Sequence, residues 1–341
     1  MLCDLIQGPV PKDMPEPLAN VWRAMAKDIE AAGRYSLADD VIAAAFALSL
    51  EKPSTLKKVL DLARPPHRQT WIEWPEVPRN ALWPQFGVIA VEKGLEQPDR
   101  MGFLITQEGE DSTRYRFEPL WSFRGKDVEI PTVGLVFDLA NQLEITAAHK
   151  ESIANDIKSM SRDPGALVYQ HGKSPAQQQA YLELATHGTF VLTRGAVAYR
   201  QIGTMIPSLS ARIPQMFQAH QDDIAGESLF ILAVLLLMAT SNATRVTQED
   251  RTRLRAARLK QKKPPVLDHG IVSMRLSKPE RDAMFTAPDR GRGGQKARHV
   301  CRGHFKRLGT GEGTRLVWWR EHWRGDASTG VFRRRTREVR L

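Results

Sequence analysis

The sequence predicts an α+β protein, and changes in the spacing of apolar residues along the chain support this prediction. Apolar residues recur every three or four positions over the first fifty residues, alternate with polar residues from about 70 to 139, and return to helical spacing over 140–244. The last hundred residues combine one basic helix with several short β-type segments. We therefore expect a helical N-terminal part, an antiparallel sheet, a helical middle and a small basic C-terminal antiparallel β module.

Two helices are predicted in the N-terminal part. Residues 16–35 and 36–52 both show helical spacing, and Ser36 is a residue type that caps helix N-termini. The segment RPPHR at 64–68 ends this helical region, because proline lacks an amide donor and restricts the residue before it.

The predicted sheet comprises segments 86–94, 100–109, 113–123 and 128–139, which are separated by turn-rich pieces. In 113–123 the aromatic residues Tyr115, Phe117, Trp121 and Phe123 fall on one face of an extended chain. Such a stripe can stack on bases, but it lies in an acidic part of the chain. We therefore interpret it as core packing.

The middle part is predicted to be helical, with one helix beginning after Ser174 and ending at Gly188. The apolar run 229–239 has 11 residues, fewer than the ~20 needed to cross a bilayer, and we expect a buried helix there and no membrane partner. The N-terminus has no secretory-signal pattern. The two cysteines, Cys3 and Cys301, lie too far apart in sequence to indicate a disulfide framework, so a reducing compartment is expected.

Positive charge is concentrated in the last third of the chain. Residues 245–341 contain 26 Lys and Arg against 10 Asp and Glu, a net charge of +16, whereas residues 1–244 carry −6. This asymmetry predicts an acidic α+β body at 1–244 followed by a basic helix and β module at 245–341 that binds a polyanion.

Candidate nucleic-acid-binding residues are the cations and aromatics of this basic region. Arg251, Arg255, Arg258 and Lys262 have a spacing that places four cations on one face of a helix. The segments that follow add Arg298, Arg302, Lys306, Arg307, Arg315, Trp318, Trp319, Arg320, Arg324, Arg333, Arg334 and Arg335. Aromatic side chains stack on bases and guanidinium groups contact phosphates, so their interleaving favours nucleic acid, either DNA or RNA. Because Trp318 and Trp319 are adjacent in a predicted strand, at least one is expected to be core.

The segment RHVCRGHFKR at 298–307 raises a catalytic alternative. In a single strand His299 and His304 point to opposite faces and lie roughly 16 Å apart, so they cannot share a metal unless Gly303 forms a bulge. We predict no metal or cofactor. A nuclease that uses either histidine as general base remains an alternative, although the acidic residues of this region are scattered and no phosphate-binding loop motif occurs.

The pattern RHVCRGHFKRL, followed by GTRLVWWREHWRGD and preceded by RLRAARLKQKKPPVLDH, resembles the C-terminal region of uncharacterised proteins of tailed bacteriophages and prophages. The resemblance implies a bacterial cytoplasm and a phage-encoded task, either handling nucleic acid or disabling a host defence component. Our leading expectation is a phage-type accessory protein that binds nucleic acid through its C-terminal module. The alternative is an inhibitor that docks on an acidic host protein, since charge alone does not separate two anionic partners.

Overall fold

A computed structural model gives the fold of the chain. It describes residues 1–51, 53–78, 97–160, 174–240, 242–262, 266–275, 297–301, 304–309, 314–319, 322–324 and 326–331. The helices are α1 Leu2–Ile6, α2 Glu16–Ala31, α3 Asp39–Glu51, α4 Pro53–Lys58, α5 Ala147–Met160, α6 Pro175–Ala185, α7 Arg194–Met205, α8 Pro207–Ser210, α9 Ile213–Ala239 and α10 Thr252–Lys260, with a 3₁₀ turn at Leu60–Leu62.

The strands are β1 Gly33–Leu37, β2 Gln69–Pro75, β3 Arg100–Gln107, β4 Arg114–Phe123, β5 Asp127–Glu129, β6 Val133–Asp138, β7 Gly188–Leu192, β8 Thr244–Gln248, β9 Gly270–Met274, β10 Ala297–Cys301, β11 His304–Leu308, β12 Arg315–Trp319, β13 His322–Arg324 and β14 Asp326–Val331. The main sheet has the order β7-β6-β4-β3-β2-β1-β9-β8, and β5 pairs with β4. A three-stranded sheet, β13-β10-β14, and the two-stranded hairpin β11-β12 complete the described strands. This architecture confirms the α+β class.

Helices cover both faces of the main sheet. Alternate residues of β2, β3 and β4 point to opposite sides, so that Trp74 and Phe103 lie in one core with α3 and α9, while Trp71 and Leu104 lie in a second core with α1 and α2. The aromatic stripe of β4 belongs to the first core, in which Phe117 is fully buried. The interpretation of this stripe as core packing is confirmed.

The antiparallel sheet is confirmed for the predicted segments that form β3, β4 and β6, but the N-terminal region departs from prediction. Ser36 lies in β1 and does not cap a helix; α3 begins at Asp39. β1 pairs in parallel with both β2 and β9. A strand of five residues between two helices is too short to produce a clear period of two, and its pairing depends on residues distant in sequence. The predicted strand at 86–94 lies outside the described residues.

The middle helices follow the sequence patterns closely. Ser174 forms a capping box with Gln177 at the start of α6, and Gly188 opens β7. The apolar run 229–239 is the buried C-terminal part of α9. None of the described helices combines the length and hydrophobicity that a membrane span requires.

Strands on both sides of residue 244 share the main sheet, since β8 and β9 extend it beyond β1. The segment 298–307, predicted as one strand, is divided between β10 and β11, which belong to different sheets. His299 and His304 therefore lie on separate strands.

Candidate functional site

The hairpin β11-β12 has one face that packs on the body. Antiparallel pairing places Phe305 opposite Trp318 and Arg307 opposite Leu316 on this inner face. The rings of Phe305 and Trp318 meet edge to face, with centroids 5.2 Å apart, and Trp318 is buried in the first core. This face anchors the hairpin in the first core.

Polar contacts fix the position of the hairpin as well. Asn242 follows α9, and its side chain forms two hydrogen bonds with the backbone of Trp318. Its Oδ1 accepts from the Trp318 amide at 2.7 Å, and its Nδ2 donates to the Trp318 carbonyl at 2.8 Å. Arg307 donates to Asp61 at 2.6 Å, on the 3₁₀ turn. The hairpin is therefore held at two separate places on the body.

The opposite face of the hairpin carries an aromatic and cationic surface. Trp319 is 38% exposed, and Lys306 Nζ lies 4.0 Å from the centroid of its indole ring, which is cation–π geometry. Arg315 is exposed on the same side, next to Leu308 in the pairing. We call Lys306, Arg315 and Trp319 the hairpin surface. Trp318 is thus the core tryptophan of the adjacent pair and Trp319 the outward one.

The four cations predicted to share one helical face do not lie on one helix. Arg251 precedes α10 and is largely buried, with its guanidinium 2.9 Å from Asp4 and also bonded to the Leu267 carbonyl. Lys262 follows the helix in a left-handed backbone conformation, with φ 53°. The helix itself carries Arg255, which pairs with Asp268, and Arg258.

α10 has an exposed basic surface despite these internal contacts. None of its residues is buried, and Arg253 and Lys260 are exposed along it. The cations of α10 and of the hairpin surface therefore reach solvent, and so do Lys262 and Arg307. Side chains of Arg298, His299, His304 and Arg324, and all of Arg302, Arg320, Arg333, Arg334 and Arg335, lie outside the described residues.

A buried polar cluster was missed by the sequence analysis. The Thr132 amide donates to His220 Nδ1 at 3.0 Å, and His220 Nε2 lies 2.9 Å from Glu129 Oε1. Because Nδ1 accepts an amide hydrogen, Nε2 carries the proton and donates to the Glu129 carboxylate. His220 is almost fully buried and Thr132 is completely so. We therefore assign the cluster a structural role that ties β5 and the start of β6 to α9.

Two neighbours of this cluster have perturbed ionisation. Partial loss of water around the carboxylate, with further contributions from the negative charges of Glu227 and Asp222, raises the pKa of Asp223 to about 6, although the residue is exposed on α9. Burial, together with the charge of Glu129, raises the pKa of Tyr199 to about 12. His220 and Glu129 are separated by 91 positions, so the only sequence signal for the cluster was the helical spacing of His220, Asp223 and Glu227 in α9.

A second buried carboxylate holds the N-terminal helix on the sheet. Glu73 accepts from the amides of Leu2 and Cys3, at 3.0 and 2.8 Å, and pairs with Arg100 at 2.9 Å. Burial raises the pKa of Glu73, but the Arg100 charge and these hydrogen bonds outweigh it, and the net pKa is lowered. No three His, Cys, Asp or Glu side chains form a metal-holding group within the described part of the chain.

Comparison with protein families gives a match over nearly the whole chain. Residues 35–340 match the AcrVA2-like family, described as the Anti-CRISPR type V subtype A2 family. Comparisons with curated proteins and with solved structures give no match. The matched range includes the main sheet from β1 onward, α10 and the hairpin. The chain therefore belongs to the AcrVA2-like anti-CRISPR family, a phage-type protein family.

Proposed function

We propose that this protein inhibits a type V CRISPR defence of the bacterial host, inside the host cell, by docking on a protein component of that defence. The family match over residues 35–340 is the observation that carries this proposal. It favours the inhibitor alternative of the sequence analysis over the nucleic-acid expectation. The fold class and the exposed basic surfaces are compatible with both.

The hairpin surface is the part of the described chain best suited to this docking. Tryptophan and arginine are the residue types most often found at the energetic centres of protein interfaces. Trp319 presents a partly exposed ring whose orientation is supported by Lys306, so little side-chain freedom is lost when a partner binds. Because the exposed charges beside it are positive, an acidic surface is the complementary partner.

Nucleic-acid binding is the second candidate, since the same geometry favours it. An exposed indole beside a lysine offers a base-stacking platform next to a phosphate contact, and α10 adds cations. The predicted contribution of His299 or His304 to cleavage rests on side chains outside the described residues and stays a prediction.

The test is inhibition of target cleavage by a type V effector in the presence of the full chain. We expect Trp319→Ala or Lys306→Glu to weaken inhibition at least about tenfold, because each removes one half of the exposed pair. Lys27→Glu is the matched control: Lys27 is exposed on α2, on the opposite side of the sheet, and its replacement should leave inhibition unchanged. Equal loss in all three variants, or none, would contradict the proposed surface.

Capture experiments separate the two candidate partners. Tagged full chain is incubated with effector components, with and without nuclease. A protein partner that survives nuclease supports docking on protein, whereas loss of capture with nuclease and a steep fall of binding with salt supports the nucleic-acid candidate.

A further inference from the structure

The strand β7 ends the main sheet, and its outer backbone groups pair with no described strand. It pairs with β6 alone among the described strands. The Asp138 amide donates to the His187 carbonyl, and the Thr193 amide donates to the Thr132 carbonyl. Because hydrogen-bonded and non-hydrogen-bonded pairs alternate in an antiparallel ladder, the odd-numbered residues of β7 bond to β6. It follows that the amides and carbonyls of Gly188, Phe190 and Leu192 point away from the sheet.

The same residues expose apolar side chains. Phe190 is 38% and Leu192 is 44% exposed. Phe190 lies opposite Leu135 and on the same face, and Leu135 belongs to the core that contains α3 and α9. The apolar layer on this face of the sheet therefore continues to the edge, where Phe190 and Leu192 remain partly exposed.

The two ends of the sheet differ in the features that prevent strand pairing. The strand β8 at the other end carries Arg245 and is followed by Glu249 and Asp250, and charged side chains of this kind discourage edge pairing. The strand β7, with the sequence GTFVL, contains no charged residue and no proline. Its edge therefore lacks these protective features.

We infer that β7 pairs antiparallel with β7 of a second copy of this chain and joins the two main sheets into one. The outward backbone amides and carbonyls are arranged symmetrically about Phe190. A two-fold axis near this residue therefore pairs Phe190 with Phe190 of the second copy, and Gly188 with Leu192 of the second copy. Each outward amide then meets an outward carbonyl. Gly188 has no side chain of its own, and the Phe137 ring covers it, so Leu192 of the second copy gains an apolar surface to pack against.

Charge supports a second copy as the occupant. The strand offers no counter-charge to an acidic or a basic segment, whereas its own copy is equally uncharged. Arg194, which follows β7, is bonded to Asp28 and Glu118 within the same chain and so brings no unpaired cation to the junction. Pairing of two copies therefore places no like charges together.

The test is the mass of the full chain in solution over a range of concentrations, by sedimentation equilibrium. We expect an equilibrium between one and two copies in the micromolar range, since a five-residue edge pair forms a small interface. Phe190→Lys or Leu192→Lys should raise the dissociation constant at least about tenfold, because a charge at the edge must be desolvated. Both side chains are partly exposed at the edge of the sheet, so each variant should still unfold in one cooperative transition, which thermal unfolding checks.

Val246→Lys is the matched control, because Val246 is the exposed, outward-pointing residue of the other edge strand, β8. It should leave the equilibrium unchanged. A single copy at every concentration, or dissociation by Val246→Lys in place of the β7 variants, would overturn the inference.

Disulfide trapping tests the register. In a Cys301→Ser background, Phe190→Cys should form a covalent dimer on oxidation, because residue 190 faces its own copy at about 5.5 Å between Cα atoms, a separation that a disulfide spans. Val246→Cys in the same background should not. Equal cross-linking of the two variants would contradict the two-fold pairing at Phe190. These measurements do not depend on CRISPR inhibition, so the inference and the proposed function fail separately.

Discussion

Replacing Asn242 by alanine is expected to loosen the hairpin from the body. The Asn242 side chain is the partner of both the amide and the carbonyl of Trp318, at 2.7 and 2.8 Å. Each hydrogen bond contributes about 1 kcal/mol to stability, and each buried group left without a partner costs about 1–3 kcal/mol. Because part of this loss is recovered by water at the half-buried site, we expect the free energy of unfolding to fall by about 2–4 kcal/mol.

Urea unfolding of the full chain measures this change. Asn20→Ala is the matched control, since Asn20 is exposed on α2 and accepts a hydrogen bond only from Arg23 among its described contacts. The control should alter stability by no more than about 0.5 kcal/mol. Unfolding of Asn242→Ala at the same urea concentration as the parent chain would refute the argument that this side chain anchors the hairpin.

Three further changes test other parts of the fold. Glu73→Gln should lower the free energy of unfolding by about 3–5 kcal/mol at pH 7, because Arg100 loses its buried partner. The pKa of Glu73 is lowered in the fold, so its contribution is present above the unfolded pKa of about 4.3 and is lost as pH falls through the folded pKa; the variant should lack this part of the acid sensitivity in urea titrations. Gly188→Ala would place a Cβ 2.3 Å from Phe137 Cε1, and we expect a loss of about 1–3 kcal/mol on displacement of the ring, measured by thermal unfolding. The pKa of Asp223 is raised to about 6, so stability is gained as pH falls from about 6 toward the unfolded pKa; because the side chain is exposed, solvent screening keeps this gain small. Asp223→Asn should remove this gain and be more stable than the parent at pH 7; a parallel pH profile for the two proteins would contradict it.

Strong local patterns were predicted correctly, whereas contacts between distant residues were not. The helix after Ser174, the buried run 229–239 and the alternating aromatics of β4 each depend on side chains that are close in sequence, and each was found. The short strand β1 was taken for helix, and the segment 298–307 for one strand, because their conformations depend on partners far along the chain. For the same reason, sequence patterns did not predict the contacts between His220 and Glu129 and between Asn242 and Trp318.

The sequence by itself determined the α+β class, the concentration of positive charge after residue 244, and the expectation that one of two adjacent tryptophans is buried. Only the tertiary structure decided which one. Trp318 faces the core because Asn242 and Phe305 fix the hairpin with that side inward, and the alternation of a strand then turns Trp319 to solvent beside Lys306. The tertiary structure also decided that Arg251 has a structural role. Its guanidinium bonds to Asp4, which lies 247 positions away, and no local sequence pattern predicts that contact.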